Sequence, residues 1–130
     1  MNSVSQDVKE MLEAESALSL VFANNLFISK EPQAPANCVT LYDTSGSPSQ
    51  LTLDVQRYEF PSLQIRVRNV DYVNGWNLIE GIKDSLHGRA GEEWGGSYYS
   101  LIQVMSGPSF LEWDDMNRAI LIINFNVQRR

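Results

Sequence analysis

The sequence predicts a single α+β domain spanning residues 1–130, in which a mixed, mostly antiparallel sheet of about four to five strands carries two helices on one face. Three observations lead to this fold class. A chain of 130 residues has the length of one domain with its own core. Two segments have apolar residues at helical spacing, and several others alternate apolar and polar residues as strands do.

The first half of the chain predicts one helix followed by strands. Ser3 and Gln6 have the spacing of a capping box at the start of an apolar stripe, which indicates a helix over residues 3–20. Short strands are expected at 26–29 and 37–42. The following "DTSGSPSQ" contains the residues that turns favour, so it is predicted to be a loop.

The second half predicts a strand, a helix and two more strands. "LTLDVQRY", residues 51–58, fits either a short strand or an extended arm. Pro61 is expected to open a strand over 62–68, and Asp71 to cap a helix that ends near Leu86. A flexible Gly-rich connector at 88–97 then leads to strands at 98–105 and 118–128, which are separated by a turn-rich segment at 106–117.

The predicted strand at 62–68 presents a polar face that stands out in this sequence. Gln64, Arg66 and Arg68 alternate with apolar residues, so their side chains should point away from the core. If both helices cover the other side, these three residues lie on an uncovered sheet face. Asn124, Asn126 and Gln128 on the last strand are expected to join them.

Charge and composition exclude several classes of protein. The formal net charge is −6 and the ten basic residues are dispersed, which argues against a protein that grips nucleic acid. Neither a signal peptide nor a membrane-spanning run is expected, which favours a cytosolic site of synthesis. Cys38, the single cysteine, cannot form an internal disulfide and is interpreted as a buried apolar residue.

The sequence contains no convincing catalytic set. His87 is the sole histidine and lies at a predicted helix end, where histidine is a common structural choice. The acids Glu92 and Glu93, and Glu112, Asp114 and Asp115, are interpreted as solvated turn residues, with a Mg²⁺-dependent enzyme as the alternative. We expect no enzymatic activity, no cofactor and no metal site.

The segments "NNLFISKEPQAPANCVTLYDTSG" and "YEFPSLQIRVRNVDYVNGWNLIEGIKDSLHG", with the closing "SGPSFLEWDDMNRAILIINFNVQ", resemble minor capsid and tail-completion proteins of long-tailed bacteriophages, in particular tail terminators. The resemblance runs from about residue 25 to residue 127. The sequence departs from this pattern after Gly46-Ser47-Pro48, so the contacts of that loop are open.

The resemblance implies a structural virion protein without catalytic residues, assembled in the host cytoplasm. Such proteins form a homo-oligomeric ring of six copies at the head-proximal end of the tail. Their partners are the tail-tube protein and the head connector, and DNA passes through the ring without sequence-specific binding. A head-side completion or neck protein is the alternative within the same resemblance.

The surface that makes these contacts is expected to combine the arginines of the polar face with acids and aromatic residues of the loops. The arginines of one copy would then pair with acids of its neighbour, while apolar side chains supply most of the adhesion. The predicted contact residues are Gln64, Arg66, Arg68, Glu92, Glu93, Trp94, Phe110, Glu112, Trp113, Asp114 and Asp115.

Overall fold

A computed structural model describes residues 1–51 and 57–130 of the chain. The elements follow in the order α1 (Val4–Ala14), a short 3₁₀ helix (Ser16–Leu18), β1 (Leu26–Ile28), β2 (Cys38–Leu51), β3 (Arg57–Asn69), α2 (Tyr72–Leu86), β4 (Glu92–Trp94), β5 (Ser97–Trp113) and β6 (Ala119–Arg129). The predicted α+β class is confirmed.

The strands form one mixed sheet in the order β1-β2-β3-β6-β5-β4. Among the described strands, only the β1–β2 pair is parallel and the other pairs are antiparallel. In the part of the chain that the structure describes, the sheet has six strands, so the predicted number of four to five is wrong. The additional strand is β4, which pairs with the beginning of β5 in a segment predicted to be a flexible connector.

Both helices pack on the same face of the sheet, as predicted. Val8 and Met11 of α1 and Ile79 of α2 are fully buried in one apolar cluster with Ile65 and Ile123 of the central strands. The strand residues of this cluster face one another across the register, for example Ile65 opposite Ile123. Burial of this continuous apolar surface is the main stabilising contribution to the fold.

The helix starts follow the sequence signals. Ser3 accepts a hydrogen bond from the backbone N–H of Gln6, whose side chain accepts one from the Ser3 backbone, which completes the predicted capping box. Asp71 caps α2 through the N–H of Val73. The first helix is shorter than predicted, because it ends at Ala14 and a 3₁₀ turn then carries the chain to Leu18.

Two predicted loops are parts of long strands. β2 includes all of "DTSGSPSQ" and accommodates it through register shifts against β3. A Cβ atom on Gly46 would lie 1.9 Å from the carbonyl oxygen of Phe60, so the close approach of β2 and β3 requires glycine there. β5 likewise extends to Trp113 through the predicted turn, and β3 continues through Pro61. The predicted element at 51–58 lies mostly outside the described residues.

Candidate interaction surfaces

Arg66 and Arg68 project from β3 on the face opposite the helices, as their alternation with buried residues predicts. Their surroundings differ strongly. The side chain of Arg66 is 29% exposed, whereas that of Arg68 is only 5% exposed. The prediction that Arg68 lies on an uncovered face is therefore wrong.

The segment at residues 31–36, between β1 and β2, covers this end of the sheet. Arg68 donates from Nη1 to Oε1 of Glu31 at 3.0 Å and from Nη2 to the carbonyl oxygen of Pro35 at 2.7 Å. The Nε atom of Arg66 lies 2.9 Å from Oε2 of Glu31. One carboxylate thus contacts two guanidinium groups, and the cluster keeps one net positive charge. The buried Arg68 is held within its own chain, whereas the partly exposed Arg66 can still reach an acid outside it.

A third arginine, Arg118, binds the same segment. It donates from Nη1 to the carbonyl oxygen of Gln33 at 2.7 Å and from Nε to Oδ2 of Asp114 at 2.7 Å. Sequence reasoning selected neither Glu31 nor Arg118. Arg118 and Gln33 are separated by 85 positions, and periodicity within a segment carries no information about contacts at that distance.

The remaining part of this sheet face carries neutral amide and hydroxyl side chains. Gln64 donates to the side-chain oxygen of Asn124 at 3.2 Å, and Asn124 donates to Oγ of Ser106 at 3.0 Å. Ser62 lies opposite Asn126 on β6 and donates a hydrogen bond to its side-chain oxygen. Together with exposed Gln103, these residues form what we call the amide face, and a shallow groove of about 250 Å³ borders it.

The amide face retains hydrogen-bonding capacity, because each amide has two donor hydrogens and an oxygen with two lone pairs. Its residues are Ser62, Gln64, Gln103, Ser106, Asn124 and Asn126. None of them is charged, although the protein carries a net charge of −6. This is a surface suited to polar protein contacts that neither attract nor repel a polyanion.

The three acids near the end of β5, Glu112, Asp114 and Asp115, have different surroundings. Asp114 accepts hydrogen bonds from the backbone N–H groups of Met116 and Arg118. Partial desolvation opposes ionisation of Asp114, but the hydrogen bonds from Arg118 outweigh it and lower the pKa of this carboxyl group. Glu112 and Asp115 are exposed and make no ion pair with the described part of the chain.

Glu92, Glu93 and Trp94 form β4 rather than a connector. Glu92 accepts hydrogen bonds from Nε1 of Trp94 and Nη1 of Arg89, both at 2.8 Å, and these bonds lower the pKa of its carboxyl group. Trp94 is half-buried and packs against the core, so its main contacts are internal. Only Glu93 of these three residues is exposed.

Aromatic side chains connect the start of α2 with the end of β5. The ring centroids of Tyr72 and Phe110 are 5.8 Å apart, as are those of Phe110 and Trp113. Phe110 is 40% exposed and Trp113 is 51% exposed. We call Tyr72, Phe110 and Trp113 the aromatic row; it is an exposed apolar surface of the kind found at contact sites.

Cys38 and His87 have structural surroundings. Cys38 is buried on β2, and burial raises the pKa of its thiol, which keeps it in the unreactive protonated form. His87 follows the last residue of α2, and its Nδ1 accepts a hydrogen bond from the backbone N–H of Val104 at 3.0 Å. The imidazole therefore holds the end of the helix against β5.

Residues 1–51 and 57–130 contain no group of three or more histidine, cysteine or carboxylate side chains arranged to hold a metal ion. In the same residues, neither helix has both the length and the apolar character needed to cross a membrane.

Two solved structures have a fold similar to that of this chain. A solved structure described as the virion of a native gene transfer agent particle matches with a TM-score of 0.69 and 12% identity, over 98% of this chain and 94% of that chain. A second solved protein, without a descriptive name, matches with a TM-score of 0.59 and 10% identity, over 98% and 91% of the two chains. At these identities the likeness concerns the fold. No match is found among curated protein sequences.

The sequence also matches a family described as bacteriophage tail terminator proteins over residues 10–130. The matched residues include the end of α1, all of α2 and all six strands. This family assigns the protein to the virion as a structural component of the phage tail. The chain belongs to the bacteriophage tail terminator family.

Proposed function

We propose that this protein forms a ring at the head-proximal end of a long phage tail, where it ends growth of the tail tube and provides the surface to which the head docks. The match to the tail terminator family over residues 10–130 carries this proposal. Such a role needs contacts between copies and contacts with neighbours on either side, but no catalytic chemistry.

The described surface offers unlike patches, as a ring requires. In a closed ring one patch of a subunit meets a different patch of its neighbour. The amide face and the aromatic row differ in chemistry and in position. The amide face lies on β3, β5 and β6, whereas the aromatic row lies at the start of α2 and the end of β5. We propose that the amide face supplies one side of the contact between copies, with six copies in the ring.

The charge distribution supports the passage of DNA through such a ring. Within the described residues, seven basic side chains, including Arg66, Arg68 and Arg118, are already in contact with carboxylates of the same chain. Few cations are left to bind phosphate groups, which are the main source of affinity for DNA. DNA would therefore move past this protein without being held.

Electron microscopy of the protein mixed with growing tail tubes of its own phage tests the proposal. We expect one ring at a single end of each tube, and no further elongation of capped tubes when more tube protein is added. Tubes that continue to grow with the protein present would contradict a terminating role.

Light scattering across a salt and concentration series tests ring formation separately. Self-repulsion of acidic subunits should disfavour the free ring at low salt, and screening over about 8 Å at physiological ionic strength should favour it. The double variant Asn124→Arg/Asn126→Arg should prevent assembly, whereas Asn77→Arg, on the exposed side of α2, should not. A salt-independent dimer with two-fold symmetry would rule out a closed ring.

A further inference from the structure

Tyr72 of the aromatic row stacks on Trp76 with ring centroids 6.2 Å apart, and Trp76 packs against the core. Phe110 and Trp113 have no such link to the core within the described residues except through Tyr72. The buried apolar cluster contains neither Tyr72, Phe110 nor Trp113. Two further apolar side chains nearby in the chain are also exposed, Val73 after Tyr72 and Met116 in the turn after Trp113. Exposed aromatic residues of this kind commonly provide most of the binding energy of a protein contact.

Free acids border the row. Glu112 precedes Trp113 and Asp115 lies two residues after it, and both carboxylates are exposed. Asp114 between them is bound to Arg118 and contributes no free charge. Any partner that covers the row must therefore match an apolar centre and place cations near Glu112 and Asp115.

A second copy of this chain is poorly suited to supply those cations. In the described residues, seven basic side chains are in ion pairs with carboxylates of their own chain. Lys30 is exposed and in none of these pairs, but a single lysine cannot lie beside both acids of the row. Arg130 lies over the rings of Tyr58 and Tyr98. Nucleic acid is equally unsuited, because its phosphates would be repelled by the two acids.

We propose that the aromatic row docks on the end of the tail tube, through a tube surface that is apolar at its centre and carries lysine or arginine at its edge. This inference rests on the proposed function. The tube end is the neighbour that a terminator must hold before a head is present, and an unaided contact of this kind needs apolar anchors, since exposed ion pairs alone contribute little.

Co-sedimentation with preassembled tail tubes of the same phage tests the proposal. The double variant Phe110→Ala/Trp113→Ala should bind tubes at least tenfold more weakly than the parent protein. Glu112→Lys/Asp115→Lys should also weaken binding, and binding of the parent protein should weaken as salt is raised. Phe22→Ala/Met105→Ala, which removes exposed apolar side chains elsewhere, is the matched control and should bind normally.

Circular dichroism checks the fold of each variant, and light scattering checks its self-association. Unchanged tube binding by a folded Phe110→Ala/Trp113→Ala protein overturns the docking proposal and leaves the proposed function intact. If this variant loses self-association instead, the row belongs to the contact between copies. If it loses binding only to the head connector, the row belongs to the head side. Either result overturns the proposal. If the parent protein itself fails to bind tubes, the proposed function fails as well.

Discussion

Nη1 of Arg68 lies 3.0 Å from Oε1 of Glu31, which is 37 positions earlier in the chain, and both side chains are largely buried. This pair attaches the 31–36 segment to β3. We expect Glu31→Gln to lower the free energy of unfolding by about 3 kcal/mol, because removing one partner of a buried pair leaves the other charge uncompensated. Two backbone carbonyls still accept from Arg68, which keeps the loss near the lower end of the usual range.

Urea unfolding at neutral pH measures this effect. Glu10→Gln, on the exposed side of α1, is the control and should change stability by less than about 0.5 kcal/mol. Equal stabilities of the two variants would show that the Glu31 contact contributes little.

Arg66 and Arg68 should respond differently when the charge of each is reversed in a separate variant. Arg66→Glu is expected to fold, since its side chain reaches solvent and Glu31 keeps Arg68 as a partner. Arg68→Glu is expected to unfold the domain, because it would bury a carboxylate beside Glu31. Far-UV circular dichroism with thermal melting decides the matter, and a stable, folded Arg68→Glu protein would contradict the buried position of Arg68.

The hairpin between β4 and β5 should tolerate no side chain at its first glycine. Gly95 and Gly96 have φ values of +56° and +80°, and a Cβ atom on Gly95 would lie 2.1 Å from Oδ1 of Asp7. We expect Gly95→Ala to destabilise the protein by more than about 2 kcal/mol, from backbone strain plus this clash.

Gly96→Ala is the matched comparison, because the backbone there is also left-handed but no atom lies within 4 Å of the added Cβ. Gly96→Ala should lower the free energy of unfolding by about 1 kcal/mol, because it adds backbone strain without a clash. Chemical denaturation of both variants gives the difference, and equal losses would mean that Asp7 does not restrict the turn.

Tyr99 should make stability depend on alkaline pH. Burial and the hydrogen bond to Asp7 raise the pKa of this phenol well above its usual range. The unfolded chain therefore ionises first, near pH 10, and stability is complete below that pH and falls as pH rises above it. At pH 7, Tyr99→Phe should lower the free energy of unfolding by about 1–2 kcal/mol, because the variant lacks the hydroxyl group that donates to Asp7.

The difference between Tyr99→Phe and the parent protein should then shrink between pH 10 and pH 12, since phenylalanine does not ionise. Unfolding measured by denaturant at several pH values tests this, with Tyr72→Phe at the surface as the control. A constant difference across that range would exclude Tyr99 as the source of the pH dependence.

Local sequence patterns predicted the helices and the core faces well. The capping box at Ser3, the cap at Asp71 and the alternation through Ile65 each depend on residues close together in the chain. The loop predicted at 43–50 and the first part of the turn predicted at 106–117 were wrong, because pairing with β3 and β6 kept these Gly- and Pro-containing segments in the sheet through register shifts. The last part, at residues 114–117, does form the turn before β6.

The candidate surfaces were predictable only in part. Exposure of Phe110 and Trp113 agrees with their selection as contact residues, although their role remains a prediction. Arg68 could not be placed correctly, because its burial depends on Glu31 and the carbonyl of Pro35, which reach it only in the folded chain. Alternation shows which face a side chain occupies and does not show what covers that face.

The position of β6 determines when the domain can complete its fold during synthesis. β6 lies between β3 and β5, so the sheet stays divided until residues 119–129 have been translated and released from the ribosome. Before that moment β3 and β5 each present an unpaired edge, and joining strands so distant in sequence is a slow step. The amide face, which takes residues from all three strands, does not exist in an unfinished chain. The contact between copies that we propose for this surface is therefore closed to a nascent subunit.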